Sequence, residues 1–184
     1  YEELASYVEN VSEDTDITVS KGDAANLTEK WGESSVDVAV VDPPYYDSIM
    51  YAELSDITYT LQKEYLNDVH PDLFESKLTN KEDEAVANPS RFDGIESDDS
   101  KQDLAEEYYE SKMREIFEEQ YECLSENGVL TVMFTHREME AWDTLTSALI
   151  SAGFIITATH PIKTEMTDRI GMRNDDSADS SILL

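Results

Sequence analysis

The fold class this sequence predicts is α/β, built on an open and mostly parallel sheet, and three observations predict it. The run Val36-Asp37-Val38-Ala39-Val40-Val41 is β-branched and nearly all apolar, as expected of a parallel strand covered on both faces. A second such run, Val129-Leu130-Thr131-Val132-Met133-Phe134, follows a long stretch of helical periodicity. Strands that alternate with helices in this way imply parallel crossovers.

Each element has its own signal. Leu4, Ala5 and Val8 give a short helical stripe, and Ile17-Thr18-Val19-Ser20 is a strand candidate ending at Gly22-Asp23. The strand over 36–41 halts at Asp42-Pro43-Pro44, because proline cannot continue a central ladder. Ile49, Leu54, Ile57, Leu61 and Tyr65 recur at helical spacing over 48–66. Residues 67–102 then lose periodicity. They hold Pro71, Pro89, Gly94 and an acidic run over 96–99, and read as an insertion or lid within one domain spanning 1–184. Helical spacing returns over 103–125 through Leu104, Tyr108, Ile116, Phe117, Tyr121 and Leu124, with Asn127-Gly128 as the stop. Met139, Trp142, Leu145 and Leu149 mark an amphipathic helix over 138–152, closed by Gly153, and 154–159 and 181–184 are further strands. Ligands of such sheets gather beyond the carboxyl ends of the strands, which places Asp23, Asp42 and His136 on one rim.

Charge is the unusual feature of the composition. The 184 residues hold 42 Asp+Glu against 13 Lys+Arg, a formal charge of −29. A hydrophobic content of 40%, with ten tyrosines and two tryptophans, still argues for a folded domain. The acid is spread along the whole chain, which favours a halophilic surface suited to a salt-saturated cytoplasm over a dedicated acidic module. At molar salt the Debye length is about 3 Å, so this charge does not exclude a nucleic-acid substrate. The single cysteine, Cys123, allows no internal disulfide and reads as a small buried hydrophobe. His70 and His160 show no metal-ligand spacing, and no metal site is expected. No run approaches about 18 apolar residues and no signal-peptide pattern occurs, so the expected setting is cytoplasmic, without a membrane. A start at Tyr1 without methionine and an end within an apolar run read as a piece of a longer protein.

Asp42-Pro43-Pro44-Tyr45 carries the chemistry. An exocyclic amine on a base is a poor nucleophile because its lone pair is delocalised into the ring. A site that methylates it must accept both N–H bonds so that the nitrogen pyramidalises as it attacks. The Asp42 carboxylate can accept one and the Pro43 carbonyl the other, with consecutive prolines holding the turn rigid. Tyr45 offers an aromatic face for an extruded base, worth about 1–3 kcal/mol. The base would be flipped out of the duplex to reach it. The plainer alternative is a turn in which these residues only end the strand.

The stretch Ser34-Ser35-Val36-Asp37-Val38-Ala39-Val40-Val41-Asp42-Pro43-Pro44-Tyr45-Tyr46-Asp47, running on through Tyr51-Ala52-Glu53-Leu54-Ser55-Asp56, resembles the large prokaryotic adenine-specific DNA methylases that carry a zinc-ribbon segment elsewhere. Asn127-Gly128-Val129-Leu130, Phe134-Thr135-His136, Glu140-Ala141-Trp142, Ala152-Gly153-Phe154 and His160-Pro161-Ile162 are similar to the same family. The likeness spans most of the chain from about Asp16 and is weakest over 67–102. It implies a Rossmann-like class I methyltransferase sheet, with S-adenosylmethionine as cofactor and a flipped adenine in DNA as partner. On it, Asp42, Pro43, Pro44 and Tyr45 form the target-amine motif, and Asp23 and Ala24, in Gly22-Asp23-Ala24, face the cofactor adenine. Read from the residues, His136 at the strand end is a candidate for the base pocket with a structural role as its equal, and Tyr46 and Tyr51 are candidates for which buried packing is the default. The six glycines never form Gly-x-Gly, so the loop that grips the methionine end of the cofactor is absent from this stretch. If Ile17 lies in the third strand, the first strands lie upstream, cofactor binding by this stretch alone is weak, and the exposed sheet edge offers a route to a homo-oligomer. Cytosine N4, an RNA base amine or a glutamine amide would need the same two acceptors, and a non-catalytic acidic binding module stays open beside them.

Overall fold

The computed structural model describes residues 17–162 and the backbone of 181–183. The helical stripe at Leu4, Ala5 and Val8 lies outside the described residues. In chain order the elements are α1 (Leu27–Trp31), β1 (Val36–Val41), α2 (Tyr51–Leu66), 3-10 turns at Pro71–Leu73 and Pro89–Phe92, α3 (Lys101–Cys123), β2 (Leu124–Phe134), α4 (Met139–Ser151), β3 (His160–Ile162) and β4 (Ser181–Leu183). The strands lie in the order β1-β2-β4-β3. β1 and β2 are parallel, whereas β4 runs antiparallel to both of its neighbours. The fold is therefore α/β, but with one parallel and two antiparallel pairings among the described strands the sheet is mixed, not mostly parallel.

The core sits on one face of the sheet. Ala105, Tyr109, Met113 and Phe117 recur every fourth residue on α3, which sets them in one stripe. Against them pack Ala141, Leu145 and Leu149 of α4 and Val132 and Phe134 of β2. Register carries this face onto β1, where Ala39 pairs with Leu130 and Val41 with Val132. The reverse face is different. Val38 pairs with Val129 and Val40 with Thr131, and Val38 and Val40 are 62% and 69% exposed. The expectation that β1 is covered on both faces is corrected, because α3 and α4 both lie on the same side.

Four further expectations change. Residues 17–20 form no strand and are exposed, since β1 ends the described sheet and none of the described strands pairs with them. Residues 154–159 are irregular; pairing begins only at His160, where β4 runs alongside. Asn127-Gly128 does not stop the helix, because α3 passes into β2 at Leu124 with no loop between them. The backbone N–H groups of Ser34 and Ser35 hold that junction by donating to the carbonyls of Glu122 and Cys123, at 2.8 and 2.9 Å. Asn127-Gly128 instead lies where the register slips, between Val36↔Leu124 and Val38↔Val129. A Cβ on Gly128 would sit 2.9 Å from the Leu124 side chain, so close approach fixes the glycine. Finally, α2 forms as expected, yet Leu54, Ile57, Leu61 and Tyr65 point to solvent.

The other side of α2 explains that orientation. It packs against the residues read as an insertion. Glu84 accepts from the Ala52 N–H at 2.8 Å and so caps the first turn, where the N-cap residue Met50 makes no side-chain cap. Asp56 accepts from the Thr79 N–H and hydroxyl and pairs with Lys81 at 2.8 Å. Further along the helix, Tyr59 and Lys63 both donate to the Ser76 carbonyl. Arg91 donates to the carbonyls of Lys81, Glu82 and Glu84, with its guanidinium 3.7 Å from the Tyr108 ring centroid. Val86 and Ala87 are wholly buried. Ala85, Val86 and Ala87 of this segment form a plug in the core, whereas most of its other residues are exposed. Among the described residues no helix is long and apolar enough to cross a membrane.

Candidate functional site

At its carboxyl end β1 delivers Asp42 into solvent, with Pro43, Pro44 and Tyr45 half-buried behind it. The two prolines prevent the ladder from continuing and expose the strand end. Their carbonyls have different fates. The Pro44 carbonyl accepts from the Tyr46 N–H and from the Tyr109 hydroxyl, both at 3.0 Å. Among the described residues no donor reaches the Pro43 carbonyl or the Asp42 carboxylate. Tyr45 sets its ring edge-on to Phe134, with centroids 5.6 Å apart, and its carbonyl accepts from the Ser48 N–H.

Behind the motif the backbone is strained. Tyr46 has φ 56° and is 2% exposed, a left-handed conformation that costs a non-glycine residue about 1–3 kcal/mol. Among the described residues its hydroxyl has no acceptor at full hydrogen-bonding geometry, and the Glu106 carboxylate interacts with it. Burial first, then the nearby Glu106 carboxylate, raise its pKa far above the ordinary phenol value. Tyr109 is raised in the same direction, chiefly by burial. Both rings are therefore neutral and serve the core. Tyr46 meets Tyr109 edge-on at 5.1 Å and His136 at 5.5 Å. Tyr51 is partly exposed, and its hydroxyl is also raised, by burial and then by the charges of Asp42 and Glu84, against a backbone hydrogen bond from Tyr45.

His136 stands two residues past the end of β2, at the same sheet end as Asp42. Its side chain is only 6% exposed and both ring nitrogens are engaged. The Glu138 N–H donates to Nδ1 at 3.1 Å, so Nε2 carries the proton and donates to Asp47 at 3.1 Å. Its carbonyl accepts from Trp142 Nε1 at 3.0 Å. The ring thus faces the motif turn and not an open pocket. Tyr46 is likewise covered, while Tyr51 stays near the motif at the start of α2.

The Gly22-Asp23-Ala24 turn lies across a cleft of about 700 Å³ from Pro44, with Asp72, Asp83 and Glu84 on its walls. Asp23 is exposed and spends its carboxylate locally, accepting from the Ala25 N–H at 2.9 Å and from the Asn26 side chain at 3.4 Å. Asp47, Tyr109 and Glu84 are site residues that the sequence did not single out. Asp47 and His136 are 89 residues apart, and no local pattern signals such a pair. Among the described residues no cluster of three or more His, Cys, Asp or Glu is arranged to hold a metal ion. Compared with known proteins, the chain matches no family model, no curated protein and no solved structure.

Proposed function

We propose that this chain supplies the target-amine side of an S-adenosylmethionine-dependent methyltransferase of Rossmann-like class I type, acting on the N6 amine of adenine in DNA. One observation carries the reading: the Asp42 carboxylate and the Pro43 carbonyl lack donors from the described residues, while the neighbouring Pro44 carbonyl is doubly occupied. Two acceptors that receive no donor from the described residues, at the end of a parallel strand, suit an NH₂ group that must be held by both hydrogens. As the nitrogen attacks, its lone pair forms the new N–C bond and one proton is lost through Asp42 to solvent. The methyl group would come from the sulfonium of the cofactor by direct displacement, which needs alignment more than a covalent nucleophile.

The cleft between Gly22-Asp23-Ala24 and Pro44 supports the same reading. Its carboxylates suit a cationic sulfonium, and its position joins the expected cofactor turn to the motif. The fit is partial. Both carboxylate oxygens of Asp23 already serve its own turn, and the glycines form no loop to hold a methionine end. Residues 22–24 would border the adenine of the cofactor, and Tyr45 would present its ring to the extruded base.

The experiment uses the full-length natural protein in molar salt, with methyl-labelled S-adenosylmethionine and unmethylated DNA. Wild type is expected to label DNA, and Asp42→Ala to lower the rate by roughly 10²–10³-fold, as when one positioned hydrogen-bonding group at the reacting atom is removed. Equal labelling by both would overturn the proposal. RNA, cytosine-only DNA and glutamine-containing peptides run in parallel identify the acceptor if adenine is not it.

A further inference from the structure

We infer that Asp47 and His136 form a latch that positions the acceptor pair Asp42 and Pro43, an assignment that rests on the function proposed above. Residues 43–47 do not sit where local forces alone would leave them. Tyr46 holds a left-handed backbone, its hydroxyl is buried, and its ring is wedged edge-on between Tyr109 and His136. A turn in that state is kept in place by what surrounds it.

Besides the Tyr109 hydroxyl on the Pro44 carbonyl, two anchors act at its far end. The Ala87 N–H donates to the Tyr46 carbonyl at 3.1 Å, which ties the turn to the plug. His136 Nε2 donates to Asp47 at 3.1 Å, which ties the turn to the end of β2. The second anchor is the more rigid, because the imidazole cannot rotate freely. Its Nδ1 accepts from the Glu138 N–H, its plane lies 19° from that of Phe134, and its own carbonyl is held by Trp142. The proton is thereby fixed on Nε2 and aimed at Asp47. The histidine is covered and its partner 41% exposed, so the socket belongs to β2 and the latch point to the motif. With both nitrogens taken, His136 is placed to hold geometry and not to exchange protons with a substrate.

The consequence is specific. Releasing Asp47 frees the turn to relax at Tyr46 and moves the Pro43 carbonyl relative to Asp42. A shift of about 1 Å in such a pair is enough to cost on the order of 10²-fold in rate. Asp47→Ala and His136→Phe in the full-length protein are expected to lower kcat by about 10- to 100-fold with KM for S-adenosylmethionine unchanged. His136→Gln, which keeps a donor for Asp47, is expected to recover most of the loss. The second measurement needs no activity. With ring-¹⁵N histidine, three residues give signals, and His136 is expected as the Nε2–H tautomer in wild type and as a tautomer mixture in Asp47→Ala, with backbone amide shifts changed over 43–48. An Nδ1–H tautomer in wild type, or unchanged amide shifts in Asp47→Ala, would overturn the latch. So would unchanged kcat in both latch variants while Asp42→Ala is inactive. Should wild type transfer no methyl group, the function proposed above fails, and the tautomer and amide shifts still decide the latch.

Discussion

Replacing Tyr46 by phenylalanine removes a hydroxyl that burial strips of water and that no acceptor among the described residues receives at full hydrogen-bonding geometry. Deleting such a group is neutral or stabilising, so Tyr46→Phe is expected to raise unfolding free energy by up to about 1 kcal/mol in urea titrations. A loss of stability would show that the hydroxyl has a partner after all. Asp56 makes the opposite case. Its hydrogen bond to Lys81 first, and those to Thr79 next, hold its carboxyl down at about 2, below the ordinary 3.8. A depressed folded pKa gives stability that is complete above the unfolded value and lost as pH falls through the folded one. Wild type is therefore expected to lose stability between about pH 4 and pH 2 more steeply than Asp56→Asn, as read by thermal midpoints across that window. Asp42 was legible in the sequence because proline marks where a strand must end. The Asp47–His136 pair was not, since only the fold brings a residue after β1 beside one after β2.

Among the elements, β1, α2 and α4 were legible from apolar spacing, and so was the strand over 129–134. The direction α2 faces was not. Leu54, Ile57 and Leu61 recur at helical spacing, but Ala52, Asp56, Tyr59 and Lys63 make the contacts, through polar bonds that a hydrophobic pattern does not register. The plug was missed for the same reason. Its order comes from Arg91 meeting three carbonyls and one ring, an arrangement with no periodicity. Arg91→Ala is therefore expected to destabilise the protein by about 2 kcal/mol, the sum of charge-assisted hydrogen bonds and a cation–π contact less their solvation. Lysine at this position should not rescue it, because a single ammonium cannot reproduce the planar fork. Faster proteolysis within 75–95 in Arg91→Ala would report the same loosening, and resistance equal to wild type would contradict it.

At the scale of the molecule, alternation of strands and helices announced α/β, but the pairing of β4 between β2 and β3 and the bare reverse face of β1 depend on contacts far apart in sequence. A charge of −29 on so short a chain opposes compaction through self-repulsion, which salt relieves. Raising KCl from about 0.1 M to about 1 M shortens the Debye length from about 10 Å to about 3 Å, and the thermal midpoint is expected to rise with it. A midpoint independent of KCl would mean that the carboxylates are already compensated in the fold. The joint at Cys123 and Leu124 bears on how sequences of this kind can diverge. With no loop between α3 and β2, one residue gained or lost there would turn the strand over and point Val132 and Phe134 away from the core. Length change is barred from this joint, whereas the exposed acidic turn over 96–99 can lengthen or shorten without moving either element.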